Sequence, residues 1–449
     1  MNKKSLIFAA VVIFSAAIIP FSHGSGKNPD SVIDFKDANL RKAVAHALGK
    51  AETDQITVGD CAKLTELDLG NNEITDISVL KHLTGLKELD LHSNRITKIS
   101  ALKGLTGLTK LDLLSNEITD ISPLKNLTGL TALDLNSNRI TKISALKGLT
   151  GLTALDLSGN KVADISALKD LTKLTRLDIS INQITDISAL EGLTQLTALD
   201  IRFNKITDIS ALKDMTGLKE LEVRFNKITD ISALKNLKWP TKLHLEGNQI
   251  TDISALEGLT QLKELDLGNN KIADISALKK LKGLTWLELE GNQIADISVL
   301  KNMAGLTELD LSNNKIADIS TLKYLTGLGR LDLSNNQTTK FSGLKGLPEL
   351  HNLDLSNNQI TDISALKELR LEILDLGNNK ITDISPLLEI DWLGGDTFIS
   401  IVKNPLCNNG RLNKQASNIL QKIKEVNDEY EIYKISVVFD CDLSHDVRP

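Results

Sequence analysis

Aspartate recurs at positions 68, 90, 112, 134, 156, 178, 200, 266, 310, 332, 354 and 375, in steps of 22 residues or a multiple until the last step. Carboxylates on neighbouring parallel strands stand about 4.8 Å apart and repel by roughly 1 kcal/mol per pair even in water. Such a column is either an acidic trough for a cation or basic partner, or a residue tolerated on a solvated face. In the second case Lys110, Arg176, Lys242 and Arg330 lie close enough to relieve it. Glu222, His244 and Glu288 break the column.

The larger departures lie just beyond it. Two and three residues after each aspartate the chain usually carries Gly, Ser or Asn, as in Gly70-Asn71 and Ser312-Asn313. Three successive copies read Ser180-Ile181, Arg202-Phe203 and Arg224-Phe225 instead, and later ones bring His244 with Glu246, and Trp286 with Glu288 and Glu290. Aromatics make up 3% of the chain, so outward Phe and Trp are not what folding demands. These residue types are enriched where partners bind. The expected partner-binding set is Ile181, Arg202, Phe203, Glu222, Arg224, Phe225, His244, Glu246, Trp286, Glu288 and Glu290. Two blander readings stay open: that a near-copied repeat duplicated one accident, or that each Phe folds over its neighbour. No phosphate loop, zinc-ligand spacing or Gly-x-Ser-x-Gly elbow occurs, and the 7 histidines are scattered, so no catalytic residue, cofactor or metal ligand is expected.

What positions these residues is a repeat. Asparagine returns every 22 residues from Asn72 to Asn358 and once more at Asn379, within Leu-x-x-Leu-x-Leu-x-x-Asn-x-Ile-x-Asp-Ile-x-x-Leu-x-x-Leu. Leu67 and Leu69 alternate with polar neighbours, the period of a half-buried strand. One short strand is unstable alone, but stacked copies close a continuous core. A carboxamide offers donors and an acceptor together, so an asparagine column can bond the loops of successive coils. The expected fold is an α/β solenoid of about 15 repeats, curved, with its parallel sheet concave. Irregular copies stand out: Trp239-Pro240 reads as a bent outer turn, and Gln337-Thr338-Thr-Lys-Phe341 has lost an isoleucine.

Open ends need covering. Asn39 to Gly49 has apolar residues at helical spacing with Gly at the stop, Ser417 to Val426 reads as a second amphipathic helix, and Tyr433 to Phe439 as a strand. Residues 1–24, with Lys3 and Lys4 before an apolar run from Leu6 to Ile19, read as a secretory signal peptide too short to span a membrane. The expected organisation is a signal peptide over 1–24, a helical cap over 25–62, the repeats over 63–384 and a C-terminal cap over 385–449. Of 3 cysteines, Cys407 and Cys441 are expected to pair and Cys61 to be a buried small apolar residue. A formal charge of −6 argues against nucleic acid as partner.

The 22-residue unit, the segment Asp37-Ala-Asn39-Leu40-Arg-Lys-Ala43-Val44 and the signal-like start together resemble the internalin family of exported bacterial leucine-rich-repeat proteins. The similarity runs from about Val32 to Leu388. It implies a secreted, or in a double-membraned cell periplasmic, monomer that binds a protein, such as a host or surface receptor, through the concave face. The C-terminal segment, His445 to Pro449, carries no wall-sorting motif. The alternative is an adhesive envelope protein that binds glycan or self-associates without a single partner site.

Overall fold

The computed structural model describes residues 28–237, 240–339, 342–392, 396–408, 411–419, 421–422 and 434–438. The chain forms two compact units that divide between Leu218 and Lys219. In the first, helix α1 (Ala38–Ala47) starts at Asp37, whose Oδ1 accepts the Leu40 amide. Its other carboxylate oxygen accepts the amides of Thr75 and Asp76 and the Thr75 hydroxyl, fastening the cap to the first coil. Burial alone would raise the Asp37 carboxyl, but these bonds outweigh it and hold the group below its ordinary value. Gly49 follows in the left-handed region at φ 65°, the stop expected for it. A one-turn helix α2 (Val58–Cys61) and a bridge between Val32 and Thr57 complete the cap. Cys61 is buried with a free thiol pushed up to about 11 by burial, which makes it unreactive.

The strands β1 (Glu66–Asp68), β2 (Glu88–Asp90), β3 (Lys110–Asp112), β4 (Ala132–Asp134), β5 (Ala154–Asp156), β6 (Arg176–Asp178) and β7 (Ala198–Asp200) follow in the first unit. Each pairs in parallel with the next, leucine opposite leucine, as in Leu67 with Leu89. Parallel order in chain sequence is what a stacked repeat gives, because every coil returns on the same side. The second unit repeats this with β8 (Glu220–Glu222), β9 (Lys242–His244), β10 (Glu264–Asp266), β11 (Trp286–Glu288), β12 (Glu308–Asp310), β13 (Arg330–Asp332) and β14 (Asn352–Asp354). Ile373–Asp375, Asp396–Ser400 and Lys434–Val438 extend that sheet. Residues 414–419 and 421–422 are helical, a start earlier than the sequence suggested.

The asparagines work as their chemistry requires. Asn94 donates to the carbonyls of Leu69 and Leu91 at 2.9 and 3.0 Å, and its Oδ1 accepts the Ile74 amide at 2.8 Å. The ladder reaches one coil beyond the sequence register, to Asn404, which donates to Leu376 O and accepts from Ile381 N. On the far side each coil makes a short 3-10 turn such as Ser78–His82, preceded by Asp76 accepting the Ser78 amide at 2.7 Å. At Gly85 a Cβ would stand 3.0 Å from the Ala62 carbonyl, a close pass of one coil over the last, though other copies carry Lys173, Gln195 and Gln261 at this position. Thr338 is fully buried where the flanking copies have Ile316 and Ile360. Phe341, Trp239 and Cys441 lie outside the described residues, and with Cys441 the expected disulfide to Cys407. The signal-like segment lies outside them too.

Candidate functional site

The aspartate column has a local job. In copy after copy its Oδ1 accepts the amide two residues on: Gly70 to Asp68, Leu114 to Asp112, Ser180 to Asp178, Ser312 to Asp310 and Gly377 to Asp375, all at 2.7–2.9 Å. This Asx turn ends the strand and starts the loop, which supports the structural reading of the column over the trough. Asp112 and Asp156 are buried enough that desolvation, and for Asp156 also Asp178 and Asp134, pushes their carboxyls up to about 6 and about 7. Near the first coils, Asp90 Oδ1 contacts His92 Nδ1 at 2.6 Å while Asn71 Nδ2 stands 2.7 Å from His92 Nε2.

One residue past that turn the backbone is left-handed. Asn71, Ser93, Ser115, Ser137, Asn269, Asn313, Asn335, Asn357 and Asn378 occupy this position at φ 52–58°, and Gly159, Gly247 and Gly291 at 65–67°. Ile181, Phe203 and Phe225 sit there too, at φ 52°, 54° and 55°. A β-branched or aromatic side chain in this region is strained by roughly 1–2 kcal/mol, and short polar residues or glycine are the relaxed choice. All three are among the exposed large apolar side chains, at 54%, 45% and 37%.

In the first unit Ile181 and Phe203 are neighbours: the Ile181 amide donates to the Arg202 carbonyl and the Asn182 amide to the Phe203 carbonyl. Arg202 Nε is paired with Asp200 at 2.9 Å. In the second unit Phe225 lies against Gly247, where a Cβ would meet its ring. That contact gives Phe225 part of the neighbour packing that the blander reading anticipated. Glu222 joins Arg224 Nε at 3.2 Å and His244 Nδ1 at 2.9 Å, and the His244 ring meets Trp286 edge-on with centroids 5.9 Å apart. Glu246 and Glu290 both reach Asn269 Nδ2, at 3.4 and 2.9 Å. Carboxylate oxygens of Asp266, Glu288 and Glu290 come within 4.8 Å of one another.

The chain matches the family model for leucine-rich repeats in two copies over 62–104, 84–126, 150–192, 194–236, 241–280, 282–324 and 327–368. Further leucine-rich-repeat models match 106–162 and 370–389. An internalin (inlF) of Listeria monocytogenes is 37% identical, aligned over 72% of this chain and 96% of that one, with TM-score 0.70. The chain belongs to the internalin family of leucine-rich-repeat proteins. The functional domain of InlJ, from the same organism, is 27% identical over 78% of this chain and 82% of that one, TM-score 0.64. A plant peptide hormone receptor, RGFR1 in complex with RGF2, shares the fold alone, at 18% identity, 78% and 71% coverage and TM-score 0.60. Comparison with curated protein sequences finds no match.

Of this internalin's neighbouring groups, sequence reasoning placed Asp266 only in the aspartate column and did not single out Gly268 or Asn269. A Cβ at 268 would collide with Glu290 Oε1, so the glycine is what lets Glu290 fold back. Glycine at 268 and Glu at 290 are both visible in the sequence, but only the coil stacking brings them together. Ile373 and Phe398, 40% and 39% exposed and opposite each other in register, were also missed. Phe398 is hidden because its coil departs from the 22-residue spacing.

Proposed function

We propose that this internalin is an exported, monomeric protein-recognition module that binds a protein partner, such as a host or surface receptor. The contacts are the outward side chains that depart from the repeat. In the first unit these are Ile181, Arg202 and Phe203; in the second, Glu222, Arg224, Phe225, His244, Glu246, Trp286, Glu288 and Glu290. The observation that carries the reading is the left-handed backbone at Ile181, Phe203 and Phe225. Every other described copy fills that position with Asn, Ser, Gly or, in the last coil, Lys403. A side chain that strains its own backbone while half exposed contributes little to the fold. Kinship supports the direction as well, since the related inlF shares most of its length with this chain. The test is capture from host and bacterial surface proteins with wild type beside Phe203→Ala/Phe225→Ala/Trp286→Ala. The expected result is a partner retained by wild type and lost by the folded triple variant. An identical captured set would remove these residues from the site and favour an envelope role.

A further inference from the structure

The first unit carries a row of lysines on the side away from its sheet. Three residues past the serine that opens each 3-10 turn stand Lys81, Lys103, Lys125, Lys147 and Lys169, one per coil. Successive turns pack on one another in chain order, so the five positions form a line. All five side chains are exposed, and among the described residues none forms an ion pair. Asp76, Asp120 and Asp164 accept the amide of the serine in the first, third and fifth coils. Exposed Lys98 and Lys142 take that place in the second and fourth, which leaves the rim basic.

Further along the chain the same register is compensated. Glu191 and Glu257 enter it and meet Lys213 and Lys280 at 3.1 and 2.8 Å, and Lys345 meets Glu368 at 3.0 Å. Lys279, Lys301 and Lys323 each have an aspartate at their own turn, Asp274, Asp296 and Asp318, and Lys323 lies over the Tyr324 ring. The basic row also ends in a concavity. A cavity of about 470 Å³ beside the first turn is lined by Lys36, Lys81, half-buried His82, Ser31 and Ser78, with Asp34 its one acid among the described residues.

We propose that this outer rim binds a linear sugar or polyol polymer carrying sulfate or phosphate esters. The chain runs along the lysine row, and its end group sits in the cavity by Lys36 and Lys81. Lysine is a compact, rotatable point charge, which suits ester oxyanions spaced along a flexible chain rather than one planar group. Nucleic acid fits worse, because a single strand is held by stacking its bases on aromatic side chains. The residues following the five lysines are His82, Gly104, Asn126, Gly148 and Asp170. The rim lies away from the sheet, so the inference goes beyond the protein-recognition reading and does not depend on it.

The test measures fluorescence anisotropy of a labelled heparin oligosaccharide, its fully desulfated form, poly(glycerol phosphate) and an oligothymidylate of equal charge with the full chain. Heparin or the glycerol phosphate polymer should bind, the tighter naming the ester, and desulfated heparin should not. Counterion release from five lysines gives log affinity a slope of about −3.5 against log salt, so fourfold more salt should weaken binding roughly a hundredfold. Lys103→Gln/Lys125→Gln/Lys147→Gln should lose roughly tenfold or more and flatten the slope to about −1.4. Lys279→Gln/Lys301→Gln/Lys323→Gln should keep the affinity, and urea midpoints check that both variants are folded. Equal losses in the two lysine variants, no binding of either ester polymer, or tighter binding of oligothymidylate overturns the proposal. The Phe203→Ala/Phe225→Ala/Trp286→Ala variant should bind the polymer as wild type does, so failure of one reading leaves the other standing.

Discussion

Replacing Ile181 by Asn should leave the fold as stable as before, or more so, although it removes a large apolar side chain. Two terms oppose each other. The left-handed backbone at φ 52° strains a β-branched residue by roughly 1–2 kcal/mol, most of which Asn relieves. Against that, the side chain is 54% exposed, so about half of the usual 1.5–3 kcal/mol for burying an isoleucine is at stake, about 1 kcal/mol. The sum lies near zero, between about −0.5 and +1 kcal/mol. Ile184, fully buried three residues on, has no strain to release, and its replacement by Asn should cost more than about 4 kcal/mol. Phe203→Asn, at 45% exposure and φ 54°, should behave like Ile181→Asn. Urea denaturation reads all three, with the midpoint compared at constant slope. A loss above about 1.5 kcal/mol for Ile181→Asn would mean that its side chain holds the loop together. The inference from strain to recognition would then fail.

Four other outcomes follow from the same geometry. Asn160 donates to the carbonyls of Leu135, Leu157 and Ser158 and accepts the Ile140 amide, so Asn160→Ala should cost about 2–4 kcal/mol by leaving buried groups unpaired, read by the urea midpoint. Asp37→Ala should release α1 from the first coil, at about 1–3 kcal/mol, and speed amide exchange at Leu40, Thr75 and Asp76. Thr338→Ile restores the residue of the flanking copies in a fully buried place and should raise the melting temperature, provided the weak 3.4 Å hydroxyl bond to Ile316 O is expendable. Carboxyls raised to about 6 at Asp112 and Asp266, about 7 at Asp156 and Glu288 and about 8 at Glu290 bind protons more tightly folded than unfolded. Their stabilising contribution is full below the unfolded value near 4 and is lost as pH rises through 6–8, so melting at pH 5.5 should exceed that at pH 8.5.

The repeat is legible in the sequence because stacking fixes the same atoms in every coil. Leucine at the strand centre and asparagine behind it face inward with no choice of partner, so their period alone predicts the parallel register and the carbonyl ladder. Asp76 was legible as the cap of a short helical turn, and it accepts the Ser78 amide; the strand-end aspartates were legible as recurrent but not as turn acceptors, since an Asx bond leaves no period distinct from a charge column. The left-handed position was spelled out by its Asn, Ser and Gly, yet its backbone conformation has to be seen before Ile181 reads as strained rather than merely large. Interactions between copies were least legible. Glu290 reaches Asn269 only because Gly268 is empty there, and Trp286 reaches His244 across two coils.

A repeat also separates stability from recognition in a way that a compact domain cannot. Asn94 and Leu91 repeat what Asn116 and Leu113 do, so each coil supplies its own packing and a nearest-neighbour bond to the next. Outward positions take no part in that arithmetic and are free to drift so long as the backbone tolerates them. Ordinary drift at the left-handed position should favour Asn, Ser or Gly, and most coils hold one of these. Three bulky residues there run against that tendency in successive copies. Each of the three carries backbone strain at a position where the side chain stays at least 37% exposed, so the strain is not offset by full burial in the core.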